Sequence, residues 1–119
     1  MTGIDYNDKY FVGVMNYDDG DLTRDTVYHY RQKGDIVWGS FEGGNCRHGN
    51  FVARVLDDGN LDMVWQYLNK EGKLVSGGCR STPEMLPDGR IRLHESWHVH
   101  GTEVSGTSAV EQVAGVERG

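Results

Sequence analysis

The run RIRLHESWHVH, residues 90–100, gathers the groups most able to do chemistry. Its odd positions read Ile91, Leu93, Glu95, Trp97 and Val99; its even positions read Arg90, Arg92, His94, Ser96, His98 and His100. On a strand these sets lie on opposite faces. The apolar set must turn inward as a unit, because a one-residue slip would expose all of it. Glu95 is drawn inward with its neighbours. A buried carboxylate is costly unless it is paired, hydrogen-bonded or shifted in pKa. Two readings follow: Glu95 is a general acid or base, or it forms a structural pair with Arg80, Arg47 or a tyrosine.

The histidines offer a rival chemistry. His98 and His100 share a strand face, and Glu103 follows in HVHGTE. The cupin HxH…E pattern is not met: Arg92 stands where glycine is needed, the glutamate is too near, and no second motif follows. Lying opposite an apolar face, these histidines are expected to meet solvent, and no metal site is expected. Phosphate-loop, dinucleotide and GxSxG motifs are absent.

Aromatic residues form the second constellation. Tyr28, Tyr30, Trp38, Trp65, Tyr67 and Trp97 could be plain packing, or the flat walls and polar tips of a concave site. Together with Met63, Cys79 and Ser81 they make the expected ligand-binding set. If Glu95 works as an acid or base, Tyr67 is the expected partner. The run GGCRSTPE (77–84) puts Cys79 and Ser81 on one face and Arg80 and Thr82 on the other. Cys79 as a nucleophile needs a base such as His94; a small inert core residue is the better reading.

These side chains need elements to hold them. Turn sequences recur along the chain: DDGD (18–21), QKGD (32–35), EGGN (42–45), DDGN (57–60), NKEGK (69–73), LPDGR (86–90) and VHGTE (99–103). Each sets glycine beside residues that suit tight turns. The segments between them alternate with period two, and none holds a helical period. Eight strands are expected at 9–16, 25–32, 35–43, 46–57, 60–69, 73–82, 89–100 and 104–113. The register is open in the second, third and sixth. The longest connection, 17–24, is about eight residues. Consecutive antiparallel strands with short loops form a meander, and closing it removes both edges. The expected fold is all-β: an eight-stranded antiparallel up-and-down barrel of the avidin, lipocalin or calycin kind, wide enough for one small ligand or a packed core. A sandwich or jelly roll would need longer crossings.

Composition narrows the class further. The 119 residues make one domain, with ends at 1–8 and 114–119 expected to be flexible. Glycine is 17 of 119 and proline only 2, which suits turns and not disorder. A net charge of −6 argues against nucleic acid as a partner. No apolar run spans a membrane, and MTGIDYNDKYF lacks the features of a signal peptide. A cytoplasmic location is expected, with Cys46 and Cys79 as free thiols. Val37, Val64 and Leu68 are expected exposed apolar residues, which points to a homo-oligomer.

GGCRSTPEMLPDGRIRLHESW (77–97), preceded by DDGNLDMVWQYLN (57–69), resembles a group of small bacterial proteins, many labelled N-acetylglutamate synthase. The sharpest match is the run through Cys79, Ser81, Thr82, Pro83, Glu84, Leu86, Asp88, Gly89 and Arg90, and the likeness covers about residues 10–112. The resemblance implies an avidin-like or calycin-like barrel. It carries over no catalytic residues, and the chain has no helix N-terminus to receive the pyrophosphate of acetyl-CoA. The leading expectation is a barrel that binds a flat, partly apolar small molecule with Glu95 as polar anchor. The alternatives are a cofactor-independent isomerase, cyclase or lyase using Glu95, and a filled barrel serving oligomerisation.

Overall fold

A computed structural model describes residues 3–16 and 20–113. Eight strands follow one another: β1 (Lys9–Met15), β2 (Val27–Lys33), β3 (Ile36–Gly43), β4 (Cys46–Val55), β5 (Leu61–Asn69), β6 (Leu74–Met85), β7 (Ile91–Val99) and β8 (Ser105–Val113). Each pairs antiparallel with the next, and β8 pairs back onto β1, so the sheet is a closed barrel. The expected meander and its closure are both present. No edge is left for a sandwich to cover.

Tight turns make the short connections possible. Leu56–Asn60 and Leu86–Arg90 share one design. The N–H of Gly59 donates to Leu56 O, and that of Gly89 to Leu86 O, each at 2.9 Å. Both glycines sit at positive φ, 88° and 90°, where a side chain would be strained. Asp58 and Asp88 cap the turns by accepting from the N–H groups of Asn60 and Arg90. Outside the β7–β8 seam, Arg90 and Arg92 both meet Glu111.

Strand β6 runs three residues past its expected end, through Pro83. Its pairing with β5 stops at Ser81, while pairing with β7 continues from Gly77 to Met85. Proline is tolerated there because the strand is paired on one side only.

Alternation resolves the open registers. The inward residues are Thr26, Tyr28 and Tyr30 on β2 and its approach, Val37, Gly39 and Phe41 on β3, and Gly77, Cys79 and Ser81 on β6. This overturns two expectations. Val37 is buried, not exposed, and Trp38 lies on the outer face, 37% exposed. Trp38 is therefore not a ligand-binding residue of the interior. The pleat admits either Val37 and Phe41 or Trp38, and burial of Phe41 decides it.

The interior is packed at one end. Phe11, Val37, Leu61, Ile91, Leu93 and Val110 are fully buried there. Residues 3–8, expected to be flexible, instead form a plug. Tyr6 is only 1% exposed and packs tilted against Tyr30, with ring centroids 6.1 Å apart. The N–H of Tyr6 donates to Gln32 Oε1 at 2.9 Å, and the N–H of Gln32 donates to Asn7 Oδ1 at 3.1 Å. The 114–119 end, and Asp18 and Asp19 of the first turn, lie outside the described residues.

Candidate ligand-binding site

The opposite end is hollow. A cavity of about 340 Å³ opens between the β1–β2 and β7–β8 loops. Seven aromatic side chains wall it: Tyr28, Tyr30, Phe41, Phe51, Trp65, Tyr67 and Trp97. Asn16, Asp21, Leu22, Val99 and Val104 surround its mouth, and Met63, Cys79, Glu95 and Ser108 lie deeper. Such a volume is within the range of small-molecule sites.

Seven large rings could fill a small barrel, yet here they lie against its wall. The cause is a set of cross-strand pairs. Phe51 faces Gly39, Phe41 faces Gly49, Trp65 faces Gly77 and Trp97 faces Gly106. Each ring lies over its glycine. A methyl at Gly106 would fall 2.7 Å from Trp97 Cζ2, and one at Gly39 would fall 2.7 Å from Phe51 Cζ. A methyl at Gly49 or Gly77 would meet the ring of Phe41 or Trp65 as closely. These contacts are sterically impossible: at Gly49 and Gly106 a side chain would push the ring toward the barrel axis, and at Gly39 and Gly77 it would also run into the backbone carbonyl of His29 or His98. The high glycine content therefore has two causes. Turns explain part of it, and four inward strand positions that make room for rings explain another.

Glu95 points inward, as the alternation required. Its register places it between Ser81 on β6 and Ser108 on β8, both buried. Ser108 Oγ donates to Glu95 Oε1 at 2.9 Å. Arg80 and Arg47, considered as its partners, are exposed. Burial raises the hydroxyl of Tyr30 well above its ordinary range, and the charge of Glu95 adds to the shift. Burial likewise pushes the Cys79 thiol up to about 12, again with help from Glu95. Cys79 Sγ lies 3.5 Å from Ser81 Oγ. A thiol so placed is no nucleophile. His94 cannot activate it, because it projects outward and contacts Glu84 Oε1 at 2.7 Å. Ser81 lies just beneath the cavity and does not line it.

Tyr67 has another task. Its hydroxyl donates to Asp21 Oδ2 at 2.9 Å. Its strand level, opposite Val75, is six residues along β6 from the level of Glu95, opposite Ser81. That is roughly 20 Å of strand. Tyr30, not Tyr67, is the tyrosine that feels the glutamate.

Asp21 was not singled out from the sequence, where DDGD reads as a turn and nothing more. It joins three loops at the mouth. Asn45 Nδ2 donates to Oδ1 at 2.7 Å, and Asn69 Nδ2 donates to Oδ2 at 3.2 Å. The N–H of Asn45 also donates to the Asp21 carbonyl at 2.9 Å. Burial alone would raise this carboxyl. The hydrogen bonds from Asn45, Asn69 and Tyr67, with the charge of Lys73, outweigh burial and lower it. Asn45 and Asn69 are each set just outside or at a strand end, a spacing that suggested turns but not a shared partner.

The three histidines of β7 and its turn stay on the outer face. His98 and His100 have ring centroids 5.4 Å apart, and His100 Nδ1 lies 3.1 Å from Ser76 Oγ. His98 covers Gly78, so its ring is occupied in packing.

No curated protein and no solved structure matches this chain. A family model described as "Avidin-like protein" matches residues 4–113, from the plug that closes the barrel to the last residue of β8. With an eight-stranded closed meander around a hollow aromatic interior, the chain belongs to the avidin-like protein family.

Proposed function

We propose that this protein binds a small, flat, partly apolar molecule inside its barrel, with Glu95 as the polar anchor. Avidin-like proteins bind small ligands and are often oligomeric. The observation that carries the reading is the cavity, kept open by rings that rest on glycines. A barrel built only as an oligomerisation module would have no use for that space. Binding is favoured over acid–base catalysis because Tyr67, the expected catalytic partner, donates to Asp21. The test uses 1-N-phenylnaphthylamine, an uncharged dye that brightens in apolar surroundings. One dye should bind per chain, saturably, and Met63→Trp should abolish binding by filling the cavity. Absence of saturable binding to the unaltered chain, or binding that Met63→Trp leaves intact, rejects the proposal.

The proposal extends to assembly and location. Trp38, Val52 and Val64 lie side by side across β3, β4 and β5 on the outer face, and a second copy of the chain is the proposed occupant. Of the three exposed apolar residues expected from the sequence, Val64 stays in this row, Leu68 is half-buried, and Val37 is removed by burial. The unpaired buried thiols of Cys46 and Cys79 suit a reducing compartment such as the cytoplasm.

A further inference from the structure

We propose that Asp21 is the positioning residue of the cavity: its carboxylate holds Tyr67, and through Tyr67 the stacked Trp65, in the wall that a ligand meets. This rests on the binding reading above and adds what keeps the site in its binding shape. Phe41, Phe51, Trp65 and Trp97 each rest on a glycine. Tyr67 has no such seat. Its partner on β6 is Val75, and Gly49, its partner on β4, already lies under Phe41. The ring is fixed at its far end instead, by the hydroxyl that donates to Asp21 Oδ2 at 2.9 Å. Trp65 stacks on this ring, with centroids 5.9 Å apart and planes 18° from parallel. Phe41 meets it edge-on at 6.2 Å.

Asp21 can hold a ring because it is itself held. Its carbonyl accepts from the N–H of Asn45, and a methyl at Gly44 would fall 3.1 Å from that same oxygen. Thr26, fully buried, donates from Oγ1 to Gly43 O at 2.9 Å and ties the end of the segment to the β3–β4 turn. The Asn45 and Asn69 amides take the carboxylate positions that Tyr67 leaves. The titratable groups around Asp21 on the neighbouring elements, among the described residues, are Cys46, Tyr67, Glu71 and Lys73. Lys73 adds a positive field, and Glu71 shares the Asn45 amide at 2.7 Å. Burial, with the charge of Asp21, pushes the Cys46 thiol up to about 11. Burial and the bond to Asp21 raise the Tyr67 phenol as well, so its proton stays in place and points at the carboxylate. Protonating Asp21 replaces a charged acceptor with a neutral one, and the hold on the ring weakens.

Dye titration on folded protein, checked by near-ultraviolet circular dichroism, tests this. Tyr67→Phe keeps the ring and cuts the bond. Asp21→Asn removes the charge and turns one acceptor into a donor. Each should weaken dye binding about fivefold, the order for one wall side chain that must be ordered again on binding. The double variant should be weaker than either single one by less than about twofold, because both remove the same link. Gly89→Ala strains a turn at the closed end, where φ is 90°, and should lower the urea midpoint while dye affinity is kept. In the unaltered chain dye affinity should hold down to the ordinary carboxylate range, about pH 4, and fall below it. In Tyr67→Phe that fall should be absent. The proposal is overturned if Tyr67→Phe binds dye as the unaltered chain does, or if the two substitutions add in full. It is also overturned if Gly89→Ala loses as much affinity, or if acid weakens the unaltered and Tyr67→Phe chains equally. The comparison with Tyr67→Phe stands even if no Asp21 variant folds. These outcomes reject the positioning role alone; failure of the dye to bind the unaltered chain rejects the cavity reading and this one with it.

Discussion

At the scale of single residues, absent side chains matter as much as present ones. Gly106 exists so that Trp97 can lie flat across β8. Gly106→Ala should drive the indole into the cavity. We expect a loss of about 1–3 kcal/mol of stability from overpacking, with dye affinity down about tenfold or more. Urea unfolding and dye titration check the two effects, and unchanged dye affinity would show that Trp97 has another place to go. Asp21 gives a pH dependence. Its carboxyl is lowered in the folded chain, so the stability it adds is complete above the unfolded value, near pH 4. That contribution fades as the pH falls through the folded value. Thermal unfolding followed downward from about pH 6 should show the loss, and Asp21→Asn should flatten it. An equal acid dependence in both proteins would place the effect elsewhere.

At the scale of elements, the two ends of the barrel are built differently from similar strands. The closed end is sealed by a segment outside the sheet, through Tyr6 and the Gln32 side chain. Removing residues 1–8 should cost about 3–5 kcal/mol, the order seen when a large buried aromatic is deleted. It should also admit water to the floor of the core. The expected sign is a lowered urea midpoint, and a midpoint equal to that of the full chain would show that the plug adds nothing. The open end is joined by side chains, with Asp21 between the β1–β2 loop, Asn45 and Asn69. A polar joint suits a mouth that must stay in water; an apolar plug suits a floor that must not.

At the scale of the molecule, the outside of the barrel has its own patterning. Most outward positions are polar, but Val52 and Val64 are 54% and 53% exposed and lie beside Trp38. Assembly through this face should appear in sedimentation as a dimer or larger species. Val52→Glu combined with Val64→Lys should return it to monomers without changing dye affinity. A monomer at high micromolar concentration in the unaltered chain would sink the idea. The interior and exterior can be tested apart because alternation puts them on opposite faces of every strand.

The sequence by itself determined the strand count, the closure and the inward turn of Glu95, because period-two alternation and glycine turns act over a few residues. It placed Tyr28, Tyr30, Met63, Trp65, Tyr67, Cys79 and Trp97 at the cavity for the same reason. It misled at Trp38, where neither face of β3 was cleanly apolar. It was silent on Asp21, whose partners lie 24 and 48 residues away. Only the tertiary structure decided whether the barrel was hollow. That depends on which aromatic faces which glycine across two strands, and register is a relation between strands that no single strand contains.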